Sequence, residues 1–251
     1  MPSSAHEMRM RIRIALSFSA ALLCALPARA DRRSFVRAYE YATQPAGNLE
    51  VEIWNDIETP KQGGLEASTL TQRIELEYGL TDHWDLALYH VFVEPPGSTG
   101  VQFDSWRLES RYRLSDKGVW PVDVMLYLEG ERPAALAEPF ELEEKLILAK
   151  DVGAWGFVAN FVAEQKLLHG YDGHLWEIDL GARYEVLPQL RLAAEAWTIQ
   201  QTAQGVTTGS YYAGPSINVA TQKFWFQIGF GVGLGDNSGA AQIRSVLGFN
   251  L

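Results

Sequence analysis

The chain has 251 residues, one cysteine and a formal net charge of −10, with 21 Lys and Arg against 31 Asp and Glu. That length suits one ordinary domain or one medium β-barrel. The acidic balance argues against a nucleic-acid partner, since no basic field is present to neutralise phosphates. The roughly 18 consecutive apolar residues that mark a transmembrane helix are also missing.

Arg9, Arg11 and Arg13 precede an apolar run from Ile14 to Leu26, and Ala28-Arg29-Ala30 follows. A basic region, a short hydrophobic region and an A-x-A site in that order read as a secretory signal peptide over residues 1–30. Cys24 leaves with it. A lipidated Cys24 is disfavoured, because Ala21-Leu22-Leu23 puts no small residue next to the cysteine. The remaining chain would carry neither disulfide nor thiolate metal site. The signal holds four basic residues and one acidic residue, which leaves 17 against 30 and a net charge near −13.

Residues 31–47 are expected to form a periplasmic lead-in. Ser34 to Tyr41 reads either as a short strand or as part of that lead-in, and Pro45-Ala46-Gly47 marks a turn before the first long strand.

From residue 48 to 251 one grammar repeats: a stretch of alternating residues, then a turn. It predicts twelve strands at about 48–58, 69–79, 82–94, 102–114, 120–131, 138–149, 154–166, 174–186, 189–200, 208–219, 223–234 and 241–251. In the second, Ile74, Leu76, Tyr78 and Leu80 oppose Arg73, Glu75 and Glu77. In the fourth, Trp106, Leu108, Tyr112 and Leu114 oppose Arg107, Glu109, Arg111 and Arg113. Phe140, Leu142, Leu146 and Leu148 oppose Glu141, Glu143 and Lys145. Trp176, Ile178, Leu180, Ala182, Tyr184 and Val186 oppose Glu177, Asp179, Arg183 and Glu185. Each such strand has one apolar and one charged face.

The links alternate in length. Leu80-Thr81, Ser115 to Gly118, Asp151 to Gly153, Leu187-Pro188 and Ala220 to Gln222 are tight. Thr59 to Ser68, Pro95 to Val101, Arg132 to Ala137, Leu167 to Gly173, Gln201 to Thr207 and Gly235 to Ala240 are longer. A membrane meander with short periplasmic turns and longer outer loops has this rhythm. None of the longer links is long enough to fold inward as a plug. Trp84, Trp106, Trp176, Tyr211 and Phe249 fall near strand ends, where an interfacial girdle places aromatics. The last strand ends on Phe249 and Leu251, similar to the C-terminal signal read by the outer-membrane insertion machinery, although the usual last residue is Phe or Trp.

These features predict an all-β fold, a transmembrane antiparallel up-and-down β-barrel of about twelve strands with both termini periplasmic. A soluble sandwich or lipocalin-like barrel also alternates, but its strands are usually shorter. In the membrane version the charged parity faces the lumen, because a Lys or Arg facing lipid at midplane costs about 2–4 kcal/mol. The expected lumen lining is Arg73, Glu75, Arg107, Glu109, Arg111, Arg113, Glu141, Glu177, Asp179 and Arg183, with the carboxylates neutralised by the arginines. Gly229, Gly231, Gly233 and Gly235 alternate near one strand end, where they relieve crowding or permit curvature.

No catalytic, cofactor or metal motif is present: G-x-S-x-G, H-E-x-x-H, Walker and EF-hand patterns are all missing. The outer-membrane phospholipases, themselves twelve-stranded barrels, use a His and a Ser two residues apart. His83, His90, His169 and His174 each lack a Ser at that offset.

Tyr39 to Trp54, with Thr43-Gln44-Pro45-Ala46-Gly47 and then Leu49-Glu50-Val51-Glu52, resembles the mature N-terminus of uncharacterised exported bacterial proteins. Tyr78-Gly79-Leu80-Thr81-Asp82-His83-Trp84 is similar to the Gly-Leu-Thr-Asp turn of porin-like and transporter barrels. The resemblance implies an outer-membrane protein of a Gram-negative bacterium engaged in passive transport. The expected function is a channel for small polar solutes, with outer-membrane lipid as its surroundings. The alternatives are a non-conducting structural barrel and, third, a lipid-modifying enzyme.

Overall fold

A computed structural model describes residues 33–98, 100–168, 173–221 and 223–251. The expected signal peptide lies outside the described residues. Among those described, twelve strands form one closed sheet: β1 (Leu49–Thr59), β2 (Thr69–Thr81), β3 (Trp84–Glu94), β4 (Gln102–Arg113), β5 (Asp123–Pro133), β6 (Glu141–Val152), β7 (Trp155–Lys166), β8 (His174–Leu187), β9 (Leu190–Ala203), β10 (Val206–Ala220), β11 (Phe224–Gly233) and β12 (Ala241–Asn250). Every strand pairs antiparallel with its chain neighbours, and β1 pairs with β12 to close the barrel, from Glu50 opposite Asn250 to Thr59 opposite Ala241. Each predicted strand coincides with an observed one, and no boundary differs by more than three residues.

Orientation is decided by neighbours on one strand. Leu108 is 57% exposed and the adjacent Glu109 is fully buried. The same holds around the barrel: Ile74, Leu76, Trp106, Ile178 and Leu180 are exposed, while Glu75, Glu77, Arg111, Glu177, Asp179 and Arg183 are buried. An apolar coat of this extent is far larger than the patches a soluble monomer exposes. The barrel is inside-out relative to a lipocalin, which removes the soluble reading and matches the lipid-facing band of a transmembrane barrel.

Two links depart from the expected rhythm. The expected loop 201–207 is a tight turn, because β9 and β10 run on to Gln204-Gly205. Both residues have positive φ, 52° and 73°, as a two-residue hairpin turn that matches strand twist requires. The expected tight link at Ser115 to Gly118 instead spans 114–122 between β4 and β5.

The larger departure concerns the lead-in. Residues 33–44 do not stay outside the barrel; they enter its lumen, while Pro45-Ala46-Gly47 forms the expected exposed turn before β1. Phe35, Val36, Ala38, Tyr39 and Tyr41 are buried, and Phe35, Tyr39 and Tyr41 share a core with Met125, Tyr127, Ile147 and Val158 of the wall. The wall makes room with glycine. A Cβ on Gly181 would lie 2.6 Å from the Phe35 ring, and one on Gly229 would lie 2.7 Å from a Val36 methyl. Gly229, in the alternating glycine run, thus relieves crowding against the N-terminal segment. Residues 31–47 hold no periodic pattern, and this inward course comes from contacts far away in sequence.

Candidate functional site

The segment rises from the end of the barrel where β1 begins and β12 ends. There Gly47 N–H donates to Gly79 O at 2.8 Å, Thr43 Oγ1 to Asp82 O at 2.7 Å, and Tyr41 Oη to Ser115 O at 2.6 Å. Deeper in the lumen it bends, and its backbone groups find side chains of the wall. Glu195 of β9 accepts the consecutive N–H groups of Val36, Arg37 and Ala38 at 2.8, 2.8 and 3.0 Å, along with the Ser216 hydroxyl at 2.7 Å. Successive N–H groups converging on one carboxylate form an anion-binding nest. Asn160 of β7 and Arg244 of β12 bond the backbone of Tyr39 and Val36. A buried irregular backbone needs such partners, because each unsatisfied group costs about 1–3 kcal/mol.

Charged side chains fill the remaining space. Arg37 Nε donates to Glu177 Oε1 at 2.6 Å and lies 3.7 Å from Asp179. Arg73 and Arg244 both pair with Asp56. The guanidinium groups of Arg33, Arg73 and Arg244 lie 4.5, 4.8 and 5.4 Å from the Trp54 ring, close enough for cation–π attraction. Arg107 bridges Glu129 and Glu131 at 3.1 and 2.8 Å. Lys145 pairs with Glu143 at 2.7 Å and caps the Tyr39 and Tyr127 rings. Glu141 pairs with Lys166 at 2.6 Å.

Nearer the termini, Arg111 makes a two-pronged bond to Asp85 at 3.0 and 2.7 Å and also reaches Glu77 and Glu109. Arg113 donates to Thr43 Oγ1 at 2.8 Å and to Asp82 O. Arg183 lies 3.3 Å from Glu40 and 2.9 Å from Asp151. Glu75 accepts from the Trp54 indole at 2.9 Å, and Glu109 from the Tyr89 hydroxyl at 2.5 Å.

The ten residues singled out by parity therefore fall into two groups. Arg73, Arg107, Glu177 and Asp179 border a cavity of about 300 Å³ toward the end of the longer links, with Asp56, Glu58 and Thr69. Val36, Arg37 and Tyr39 of the N-terminal segment also line it. Glu75, Glu109, Arg111, Arg113 and Arg183 sit in the other half in contact with one another or with the segment, and Glu141 lies beside Arg107 and Glu143. Arg111 meets Glu109 of the expected lining, Arg73, Arg107 and Arg183 pair with carboxylates outside it, and Arg113 bonds Thr43 Oγ1 and the Asp82 carbonyl. Parity alone would also have found Asp56, Asp85, Glu129 and Glu195, each inward-facing on its strand. Arg33, Arg37 and Glu40 carried no such signal.

No family model matches the sequence, and no curated protein does. Among solved structures, an outer membrane channel from Pseudomonas putida F1 is similar over 86% of this chain and 100% of that one, with 14% identity and a TM-score of 0.62. The KdgM porin, in complex with disordered oligogalacturonate, is similar over 80% and 99%, with 6% identity and a TM-score of 0.58. The likeness is one of fold. This chain is built as the barrels of outer-membrane channels and porins are built.

Proposed function

We propose that the chain is a channel of the Gram-negative outer membrane, passing small polar solutes through a lumen narrowed by its own N-terminal segment. The observation that carries this is the charged cavity of about 300 Å³ inside a barrel whose outer surface is apolar. Arg37, Arg73, Arg107 and Arg244 stand there against Asp56, Glu129, Glu143, Glu164, Glu177 and Asp179. A lining of both signs discriminates by charge and hydration, as rings of charged side chains do in other pores. The likeness to channel and porin barrels supports the reading, and Phe249 near the C-terminus supports delivery by the insertion machinery into outer-membrane lipid.

The test is conductance of the folded chain in a planar bilayer. Stepwise, salt-dependent currents with a reproducible ion preference are expected. A second reading, a closed structural barrel, is favoured by the filled half of the lumen around residues 33–44. It predicts heat-modifiable, folded protein with no current.

A further inference from the structure

The half of the lumen nearest the termini holds a group of acids for which conduction has no use. Glu50 and Glu52 of β1 face inward, and Glu77 lies opposite Glu50 in the β1–β2 register. One carboxylate oxygen from each lies within 4.8 Å of the others, and all three residues are buried. Buried carboxylates require countercharge. Leaving Glu50 aside, the five carboxylates of Glu52, Glu75, Glu77, Asp85 and Glu109 share the guanidinium groups of Arg33 and Arg111 among the described residues. Arg33 is 3.4 Å from Glu52 and 3.9 Å from Glu75, and Arg111 reaches Glu77, Asp85 and Glu109. Among these described groups, negative charge is in excess.

A second and independent observation comes from the N-terminal segment. Gln44 is 2% exposed, and its Nε2 donates to Glu50 Oε1 at 3.0 Å. Its carbonyl oxygen, Oε1, has no hydrogen-bond partner. Gln44 borders the same small cavity, about 20 Å³, as Glu50, Glu52 and Glu77. That volume suits a single ion or water. Three carboxylates and an amide carbonyl form an all-oxygen donor set, which suits a hard cation. A cavity this small has no room for the several waters that magnesium usually keeps, whereas calcium takes carboxylate and carbonyl oxygens directly in a flexible geometry.

We propose that Glu50, Glu52, Glu77 and the Gln44 side-chain carbonyl form a divalent-cation site, with calcium the ion that fits. The ion supplies the positive charge that Arg33 and Arg111 do not, and it ties the N-terminal segment to β1 and β2. Sequence spacing hid the site: Gln44, the β1 pair and Glu77 meet only once the barrel closes around the segment.

The test is to fold the chain in detergent with calcium, dialyse away free ion, and measure retained metal by elemental analysis. One calcium per chain is expected. Terbium should substitute and luminesce on tryptophan excitation, because the Trp225 indole N–H lies 3.2 Å from Glu50 Oε1. Affinity should fall more than about tenfold in Glu52→Gln, which removes a charged ligand, and less in Gln44→Leu. Folded protein would keep its heat-modifiable gel mobility in both. Should Glu52→Gln fail to fold, Gln44→Leu decides. The proposal is overturned if the wild-type chain retains no calcium, meaning that protons neutralise the acids. It is equally overturned if Gln44→Leu binds calcium and terbium as tightly as wild type, meaning that the ion sits elsewhere.

Discussion

Tyr39 and Asn160 bond each other as two strands would: Tyr39 N–H donates to Asn160 Oδ1 at 2.6 Å, and Asn160 Nδ2 donates back to Tyr39 O at 3.1 Å. One side-chain amide thus satisfies both backbone groups of a residue held inside the barrel. Asn160→Leu leaves both without a partner, at a cost of about 1–3 kcal/mol each. The wall itself keeps its ladder, so the expected outcome is a looser segment in an intact barrel. A larger single-channel conductance, with unchanged heat-modifiable mobility, would show it; unchanged conductance would mean the segment does not limit the pore.

Glu195→Gln offers a separate way to release the segment. The carboxylate receives three backbone N–H groups and a hydroxyl, and hydrogen bonds to charged groups contribute about 1.5–3 kcal/mol. Gln keeps the shape but replaces one acceptor oxygen with a donor. Limited proteolysis from the side of the termini should then cleave near residues 33–38 faster than in the wild type. Equal cleavage rates would argue that the nest is not what anchors the bend.

Gly181→Leu fills the space occupied by Phe35. Overpacking of this kind costs about 1–3 kcal/mol, and the strand is held by two ladders whereas the segment is held at scattered points. Displacement of the segment is therefore expected before loss of the barrel. A cysteine-reactive probe on Phe35→Cys, unreactive alone and reactive with Gly181→Leu, would register it.

Arg107 and Arg111 should behave differently although they lie on one face of β4. Arg107 borders the large cavity, so Arg107→Ala is expected to shift the reversal potential in a salt gradient toward cation preference. Arg111 is buried among Glu77, Asp85 and Glu109. Removing one partner of a buried ion group costs about 3–5 kcal/mol. Arg111→Ala should accordingly lower the unfolding temperature more than it alters selectivity. The reverse pattern would exchange their roles.

On the outer face, Leu108→Arg or Leu180→Arg should cost about 2–4 kcal/mol if these positions lie near the bilayer midplane. Reversible folding into lipid vesicles, followed by urea titration, measures this directly. A neutral result at both positions would place them outside the hydrocarbon.

The strands were legible because their signal is local. Ile74 and Glu75 must face opposite sides of any strand, and twelve such stretches with turns between them leave few folds besides a barrel. Which side faced out followed from the charges. What parity does not encode is the height at which a long side chain meets its partner, so Arg73 joins Asp56 and not the neighbouring Glu75. The turn at Gln204-Gly205 was missed because Gln is an unusual residue for its positive φ. The N-terminal segment was missed for a different reason. Phe35, Val36, Tyr39 and Tyr41 have no period, and their surroundings are supplied by strands from β5 to β12, far along the chain. The one available hint was four large apolar or aromatic residues in a stretch too short to bury them itself.

The segment touches opposite walls at once: Glu195 and Asn160 on one side, and through Arg33 the Glu52 and Glu75 carboxylates of β1 and β2 on the other. It is therefore a cross-brace as well as an obstruction. A barrel wall is a single layer of strands, and lateral pressure in a bilayer can flatten it into an ellipse without breaking a ladder bond. A strut spanning the bore resists that deformation, so the cross-section of the charged cavity above it is held by the same residues that narrow the passage below. Removing the strut to widen the bore would also soften its outline, and with it the fixed spacing of charges on which the proposed discrimination between solutes would depend.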